Sequence, residues 1–187
     1  MNISAVLLAG GESSRMGTDK ATVLFQGEPL WQHQLAVLRN LQPQQIFISA
    51  RADPVWRPAD CCFIADEQPS RGPLSGLAAS LNRLFTTHLL ALAIDMPFMT
   101  AAYLGSLCDR LEPACGVLPV IDGRAEPLAA VYPREAGPDA RASLSGNDFS
   151  LRTLTRRLVH AGKLKTLIVA KSERQLFRNL NEPADLP

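Results

Sequence analysis

The sequence predicts an α/β fold in which a mostly parallel, mixed sheet is flanked by helices. Three observations predict it. Short apolar runs alternate with stretches of helical period, the pattern of strands joined by crossover helices. A polar, glycine-rich loop directly follows the first run, where an open sheet of this class has its binding edge. Late in the chain an Asp-Gly pair separates two strand-like runs, which predicts a hairpin and therefore an antiparallel strand. The chain has 187 residues, 47% of them hydrophobic and 20% charged, enough for one domain with a single core. The expected extent of that domain is 1–187.

The first run, Ile3 to Leu8, is apolar but for Ser4 and shows no alternation, as a strand covered on both faces should be. Pro29 suits a first helical position, and Trp31, Leu35 and Leu38 follow at i, i+4 and i+7 to give one buried face. Gln45 to Ser49 and Cys61 to Ala65 are the next candidate strands. After Gly72 and Pro73, helical spacing returns in Leu74, Leu77, Ala78, Leu81 and Phe85. Leu89 to Ile94 is a strand closed by Asp95, so two βαβ units are expected in this half. Thr100 is placed to cap a helix carrying Leu104, Leu107, Cys108 and Leu111. Gly116 to Val120 and Pro127 to Tyr132 flank the Asp122-Gly123 turn. Ser150 then caps Leu151, Leu154 and Leu158, and Leu164 to Ala170 is the last candidate strand.

Composition excludes several function classes. Gly and Pro make up about 14% of the chain, below the level at which low-complexity disorder is expected. The formal net charge of +1 steers the protein to neither nucleic acid nor an anionic membrane. Ile3 to Ala9 has no basic residue ahead of it, so it lacks the parts of a secretory signal. Leu89 to Ile94 is far shorter than the roughly 18 residues that span a bilayer. Cys61, Cys62, Cys108 and Cys115 lack Cys-x-x-Cys spacing and are expected to be reduced core thiols, which favours a cytoplasmic location. His33, His88 and His160 show no ligand spacing and read as helix or surface histidines.

The loop from Leu8 to Lys20 carries the chemistry. Leu8, Ala9, Gly10 and Gly11 bring backbone N–H groups close to an anionic ligand, because paired glycines let the main chain approach. Arg15 can grip a phosphate bidentately and Lys20 can place a compact positive charge on non-bridging oxygens. A nucleoside triphosphate is the natural ligand. Taken alone, Gly10-Gly11 also fits a tight turn and Lys20 a solvated side chain. The loop matches neither Gly-x-x-x-x-Gly-Lys-[Ser/Thr] nor Gly-x-Gly-x-x-Gly, so Walker-type hydrolysis and dinucleotide redox chemistry lose support.

Leu-Ala-Gly-Gly-x-Ser-x-Arg-Met-Gly-x-Asp-Lys, from Leu8 to Lys20 with Ser13 at the serine position, resembles the signature of the molybdenum cofactor guanylyltransferases. Further stretches resemble the family in order: Pro29-Leu30-Trp31, Gly72-Pro73-Leu74-Ser75-Gly76, Glu126-Pro127-Leu128 and Phe177 to Asn181. The resemblance implies a Rossmann-like nucleotidyltransferase, with a nucleotide-binding N-terminal half and a C-terminal half on the acceptor side. It implies transfer of GMP from GTP to the terminal phosphate of molybdopterin, with Mg²⁺ as cofactor. Its implied partners are proteins that deliver molybdopterin and receive the dinucleotide.

Asp95, at the carboxyl end of its strand, is placed where a metal carboxylate belongs, although a turn aspartate fits the same position. The resemblance implies that Asp95 binds the metal and that Asp66 serves the nucleotide site; as a bare sequence feature Asp66 is a loop-surface charge. Where the family commonly has Asn, position 49 has Ser, a shorter hydroxyl without the amide's contacts. The resemblance gives Asn179 and Asn181 to the acceptor, while Asn181 could equally cap the segment beginning Glu182-Pro183. Seven basic residues between Arg152 and Arg174 stand against Glu173 alone, which reads as a solvated face or as an attraction for an anionic acceptor. Two rivals remain: a cytidylyltransferase, whose relatives tend to carry Ala at the place of Gly11, and a catalytically inert nucleotide-binding protein of the same fold.

Overall fold

The computed structural model describes residues 2–10, 19–66 and 69–180. Its centre is an eight-stranded mixed sheet built from β1 (Ile3–Leu8), β4 (Ile46–Ala50), β5 (Cys62–Ala65), β6 (His88–Ala93), β7 (Gly116–Ile121), β8 (Arg124–Ala125), β9 (Ala129–Pro133) and β10 (Leu164–Ile168). The strand order is β10-β7-β9-β6-β1-β4-β5, with β8 folded back on β7. β1 pairs in parallel with both β4 and β6, and β4 with β5. β9 runs antiparallel to both of its neighbours, β6 and β7. The Asp122-Gly123 turn that reverses β7 into β8 has positive φ at both residues, 48° and 77°, the type I′ geometry that matches strand twist. A separate ribbon pairs β2 (Leu24–Phe25) with β3 (Glu28–Pro29).

Strand alternation sends side chains into a core on each face. Ala5 and Leu7 of β1 join one cluster with α1 (Leu30–Arg39) and α3 (Ala101–Cys108). Val6 and Leu8 join the other, with α2 (Pro73–Asn82), α4 (Gly137–Leu144) and α5 (Leu151–His160). This two-sided burial explains why β1 and β6 are buried throughout and apolar apart from Ser4 and His88. The chain runs from β1 outward through β4 and β5, then returns over α2 to place β6 on the other side of β1. β1 is therefore the switch point of the sheet, and the carboxyl ends of β4, β1 and β6 are where a sheet of this topology holds its ligand. Among the described residues no helix is long and apolar enough to cross a membrane.

Several expectations are corrected. Pro29 closes β3 and precedes α1 as its cap, and the buried face of α1 is Leu30, Gln34, Leu35 and Leu38, with Trp31 only half-buried. Phe85 lies beyond the end of α2 and is 57% exposed, and Leu111 lies beyond α3. α4 escapes the apolar period because its buried residues are the small Gly137, Ala140 and Ser143. β10 ends at Ile168, two residues early, since Val169 and Ala170 lead into a 3-10 turn over Lys171–Phe177. The thiols are free, but only Cys61 and Cys108 are buried; Cys62 is exposed and Cys115 half-buried. His88 is no surface residue: it is buried in β6 and donates to the Cys115 carbonyl at 3.3 Å. Thr100 and Ser150 cap α3 and α5 as expected, each accepting from the backbone three residues on.

Candidate active site at the carboxyl edge of the sheet

The sheet's main-chain ladder continues past the strands and gathers their ends. The Ala9 amide donates to Ser49 O, Ile94 N to Leu8 O, and Asp66 N to Ala50 O, at 2.9, 3.1 and 3.0 Å. Leu8, Ala9 and Gly10 are thereby flanked by Ser49 and Asp66 on one side and by Asp95 on the other.

On the first side, Asp66 is only 4% exposed, so its earlier reading as a surface charge does not hold. Its carboxylate accepts from the buried Ser49 hydroxyl at 2.7 Å. Two glycines make room for this pair. A Cβ at Gly10 would lie 2.5 Å from Asp66 Oδ2, and one at Gly76 would lie 2.3 Å from Ser49 Oγ. Gly76 belongs to the first turn of α2, so the helix's N-terminal end, with its partial positive charge, lies beside the ends of β1 and β4. Ser49 is thus an internal partner of Asp66 in a space closed by glycine. The role of Gly76 was visible only as part of a motif; the crowding needs the fold.

On the second side, Lys20 opens a 3-10 turn (Lys20–Thr22) whose cap is Asp19. Lys20 Nζ lies 3.5 Å from Asp95 Oδ2 and donates to Leu180 O at 3.2 Å; both charged side chains are 23% exposed. The Leu180 amide in turn donates to Asp95 O at 2.8 Å. The segment after the last 3-10 turn is held in place by Phe177 packed edge-on to Tyr103 and by Arg178 over the Phe98 ring. Burial pushes the Tyr103 phenol up to about 12, so that ring acts as a neutral wall. Asn179 is exposed next to this anchored Leu180, while Gly11, Arg15 and Asn181 lie outside the described residues.

α1 contributes two positioning groups that sequence reasoning missed. His33 Nε2 donates to Pro97 O at 2.9 Å, and the fully buried Gln34 amide lies 3.4 and 3.5 Å from the carbonyls of Ala93 and Ile94. They bracket Asp95. The available signal was Gln34 itself, a polar residue midway between Leu30 and Leu38 on the buried face of α1. A further strut lies outside: Trp56, from the β4–β5 loop, donates to Asp19 Oδ2 at 3.1 Å and stacks on Trp31 at 5.5 Å.

The arrangement sets a cation, a carboxylate and a glycine-lined main chain at the switch point, a place for a phosphate chain. The MobA-like NTP transferase domain matches residues 5–163 of the chain. The chain belongs to the MobA-like NTP transferase family. Membership of that family makes the chain a nucleotidyltransferase. A molybdenum cofactor guanylyltransferase of Xanthomonas euvesicatoria pv. vesicatoria is 35% identical, covering 96% of this chain and 90% of that one. A probable molybdenum cofactor guanylyltransferase of Opitutus terrae is 33% identical, over 98% and 92% of the two chains. The fold is shared with the crystal structure of molybdopterin-guanine dinucleotide biosynthesis protein A from Archaeoglobus fulgidus. The TM-score is 0.80 at 23% identity, over 97% of this chain and 94% of that one.

Among the described residues no three His, Cys, Asp or Glu side chains gather as a closed metal site. A lone, partly exposed Asp95 fits a different case: a hard cation that takes one or two protein carboxylates and fills its remaining positions with phosphate oxygens and water.

Proposed function

We propose that the protein transfers the GMP part of GTP to the terminal phosphate of molybdopterin, forming the guanine dinucleotide cofactor and releasing pyrophosphate. The observation that carries this reading is the Lys20–Asp95 pair at the switch point, beside a glycine main chain that Asp66 closes from the other side. The names borne by relatives at 33% and 35% identity support the choice of a guanine nucleotide and of the molybdenum cofactor.

In the proposed reaction an acceptor phosphate oxygen attacks the α-phosphorus of GTP, the new P–O bond forms, and the bond to the departing pyrophosphate breaks. Lys20 and the amides of the glycine loop stabilise charge developing on the phosphate oxygens. Arg15 adds a bidentate grip. Asp95 would hold Mg²⁺, which supplies charge neutralisation on the triphosphate when bound. Asp66 and Ser49 serve the nucleotide end of the site, together with Leu8, Ala9, Gly10 and Gly11. The N-terminal half binds the nucleotide, and the roles of Asn179 and Asn181 in the C-terminal half are to bind the acceptor. The four free thiols fit a reducing compartment, and we place the protein in the cytoplasm, with molybdopterin carriers and molybdoenzyme chaperones as partners.

The test supplies Mg²⁺, carrier-bound molybdopterin and each nucleoside triphosphate in turn, and measures pyrophosphate and dinucleotide. GTP alone should react. Reaction with CTP would transfer the mechanism to another base, and tight GTP binding without pyrophosphate release would mean an inert binder. Lys20→Ala and Asp95→Asn should each lower turnover about 100-fold or more with the fold retained, the scale of losing one charge-stabilising group. Near-normal rates in both would remove these roles.

A further inference from the structure

The basic run from Arg152 to Arg174 divides sharply in the structure. Lys163, Lys165 and Arg174 are spent on Asp139, Glu112 and Asp122, and Arg157 donates to Ser143. Arg152 and Arg156 are not, nor is Lys171, which opens the last 3-10 turn. With Arg124 of β8, Arg152 and Arg156 line one cavity of about 420 Å³, floored by Leu118, Val120 and Val159. Among the described residues, none of these three guanidinium groups has a carboxylate within 4 Å or a side-chain hydrogen bond. All three are exposed, and α5 and the hairpin hold them around an apolar floor.

This is the composition of a small-molecule site: a volume within the usual range, a mostly apolar lining and a few converging charges. The charges are all cationic and all planar. Guanidinium groups stack on flat heteroaromatic rings and donate paired N–H bonds to anionic or carbonyl acceptors, which ammonium groups do less well. The cavity also lies at a useful distance. Val120 and Arg124 sit at the carboxyl end of β7, which is two strands from β6 and Asp95. That separation is about 10 Å by strand spacing.

We propose that Arg124, Arg152 and Arg156 form the subsite for the end of the acceptor remote from its reacting phosphate, an electron-rich, flat heteroaromatic ring system carrying anionic groups. The inference rests on the guanylyl-transfer reading, since the acceptor's phosphate must reach Lys20 and Asp95 while its ring lies over β7 and β8. The apolar floor takes the ring face and the arginines take its edge.

The experiment compares the wild type with Arg152→Ala/Arg156→Ala and with Arg152→Lys/Arg156→Lys. It measures KM for carrier-free molybdopterin, KM for GTP, and binding of pterin-6-carboxylate by its fluorescence polarisation without nucleotide. The alanine pair should raise the acceptor KM at least tenfold and weaken pterin-6-carboxylate binding to match. The lysine pair should recover only part of either, and KM for GTP should stay within twofold throughout. Unchanged acceptor KM in the alanine pair, with the wild type active, overturns the subsite. So does an equal loss in the acceptor and GTP constants, which would mark a general change in the fold. If the wild type transfers no GMP, the functional reading fails by itself. Pterin-6-carboxylate binding then decides the cavity: binding that needs the arginines keeps it as a site for such rings, and binding indifferent to them removes it.

Discussion

Asp66 is a carboxylate taken almost wholly out of water with a serine hydroxyl as its side-chain donor, and a buried acceptor that loses its donor bears the full desolvation cost. Ser49→Ala should therefore destabilise the fold by about 1–3 kcal/mol. It should also weaken GTP binding, because Asp66 sets the path of Gly10. Thermal unfolding and GTP titration check this; a variant with wild-type values in both would show that Ser49 is a mere filler. At this scale the places of Asp66, Asp95 and Ser49 at strand ends were legible, because each follows or ends an apolar run, but the burial of Asp66 was not, since by itself it reads as a loop-surface charge. Gln34 and His33 were not legible, because the period of an amphipathic helix describes which face is buried and says nothing about which carbonyls that face meets. The position of Ser49 was readable, but its partner was not, since that depends on β4 and β5 lying side by side.

The element that fixes Lys20 is a short 3-10 turn, and turns of this length have little stability of their own. Its cap, Asp19, uses one oxygen on the Ala21 amide at 3.0 Å and the other on the Trp56 indole. The β4–β5 loop thus acts as a strut for the phosphate-facing lysine. Trp56→Phe keeps an aromatic ring against Trp31 but removes the bond to Asp19. A hydrogen bond to a charged group is worth about 1.5–3 kcal/mol, so a tenfold loss in kcat is expected even when only part of it reaches the transition state. The chain has two tryptophans, so emission from the variant reports Trp31 alone. Steady-state kinetics, with that emission as a check on folding, settle the matter: unchanged kcat would reduce the strut to packing. The elements themselves were largely readable, since β1, β6, α2 and α5 carry long, unambiguous patterns. α4 was hidden because it packs through glycine, alanine and serine, and β2, β3 and β8 because two-residue strands carry no period.

Across the whole molecule the sheet changes character at β9, which runs antiparallel to β6 on one side and to β7 on the other, and the link from β8 into β9 carries Glu126. Its amide donates to Pro119 O at 2.9 Å and its carbonyl accepts from Ala129 N at 3.3 Å, so the main chain there is fixed on both sides. Burial holds the Glu126 carboxyl above the ordinary carboxylate range, and Arg152 pulls it partly back. Between the ordinary value and the raised one, the folded protein keeps a proton that the unfolded chain has released. Stability from this group is therefore complete below the ordinary range, declines as pH rises through the window, and is constant above it. Glu126→Gln keeps the shape without the titration. Its melting temperature, relative to wild type, should be higher at pH 7 than at pH 4. Arg152→Ala removes the opposing charge and should steepen the wild-type decline over the same window. Melting curves for the three proteins from pH 4 to pH 7 decide it: parallel curves for wild type and Glu126→Gln would mean that the carboxylate is solvated in the folded state. A steeper decline in Arg152→Ala would show that the arginine cavity and the link from β8 into β9 are electrostatically one unit. An acceptor seated on those arginines would then be sensed at the entry to β9, the strand that runs antiparallel to both of its neighbours.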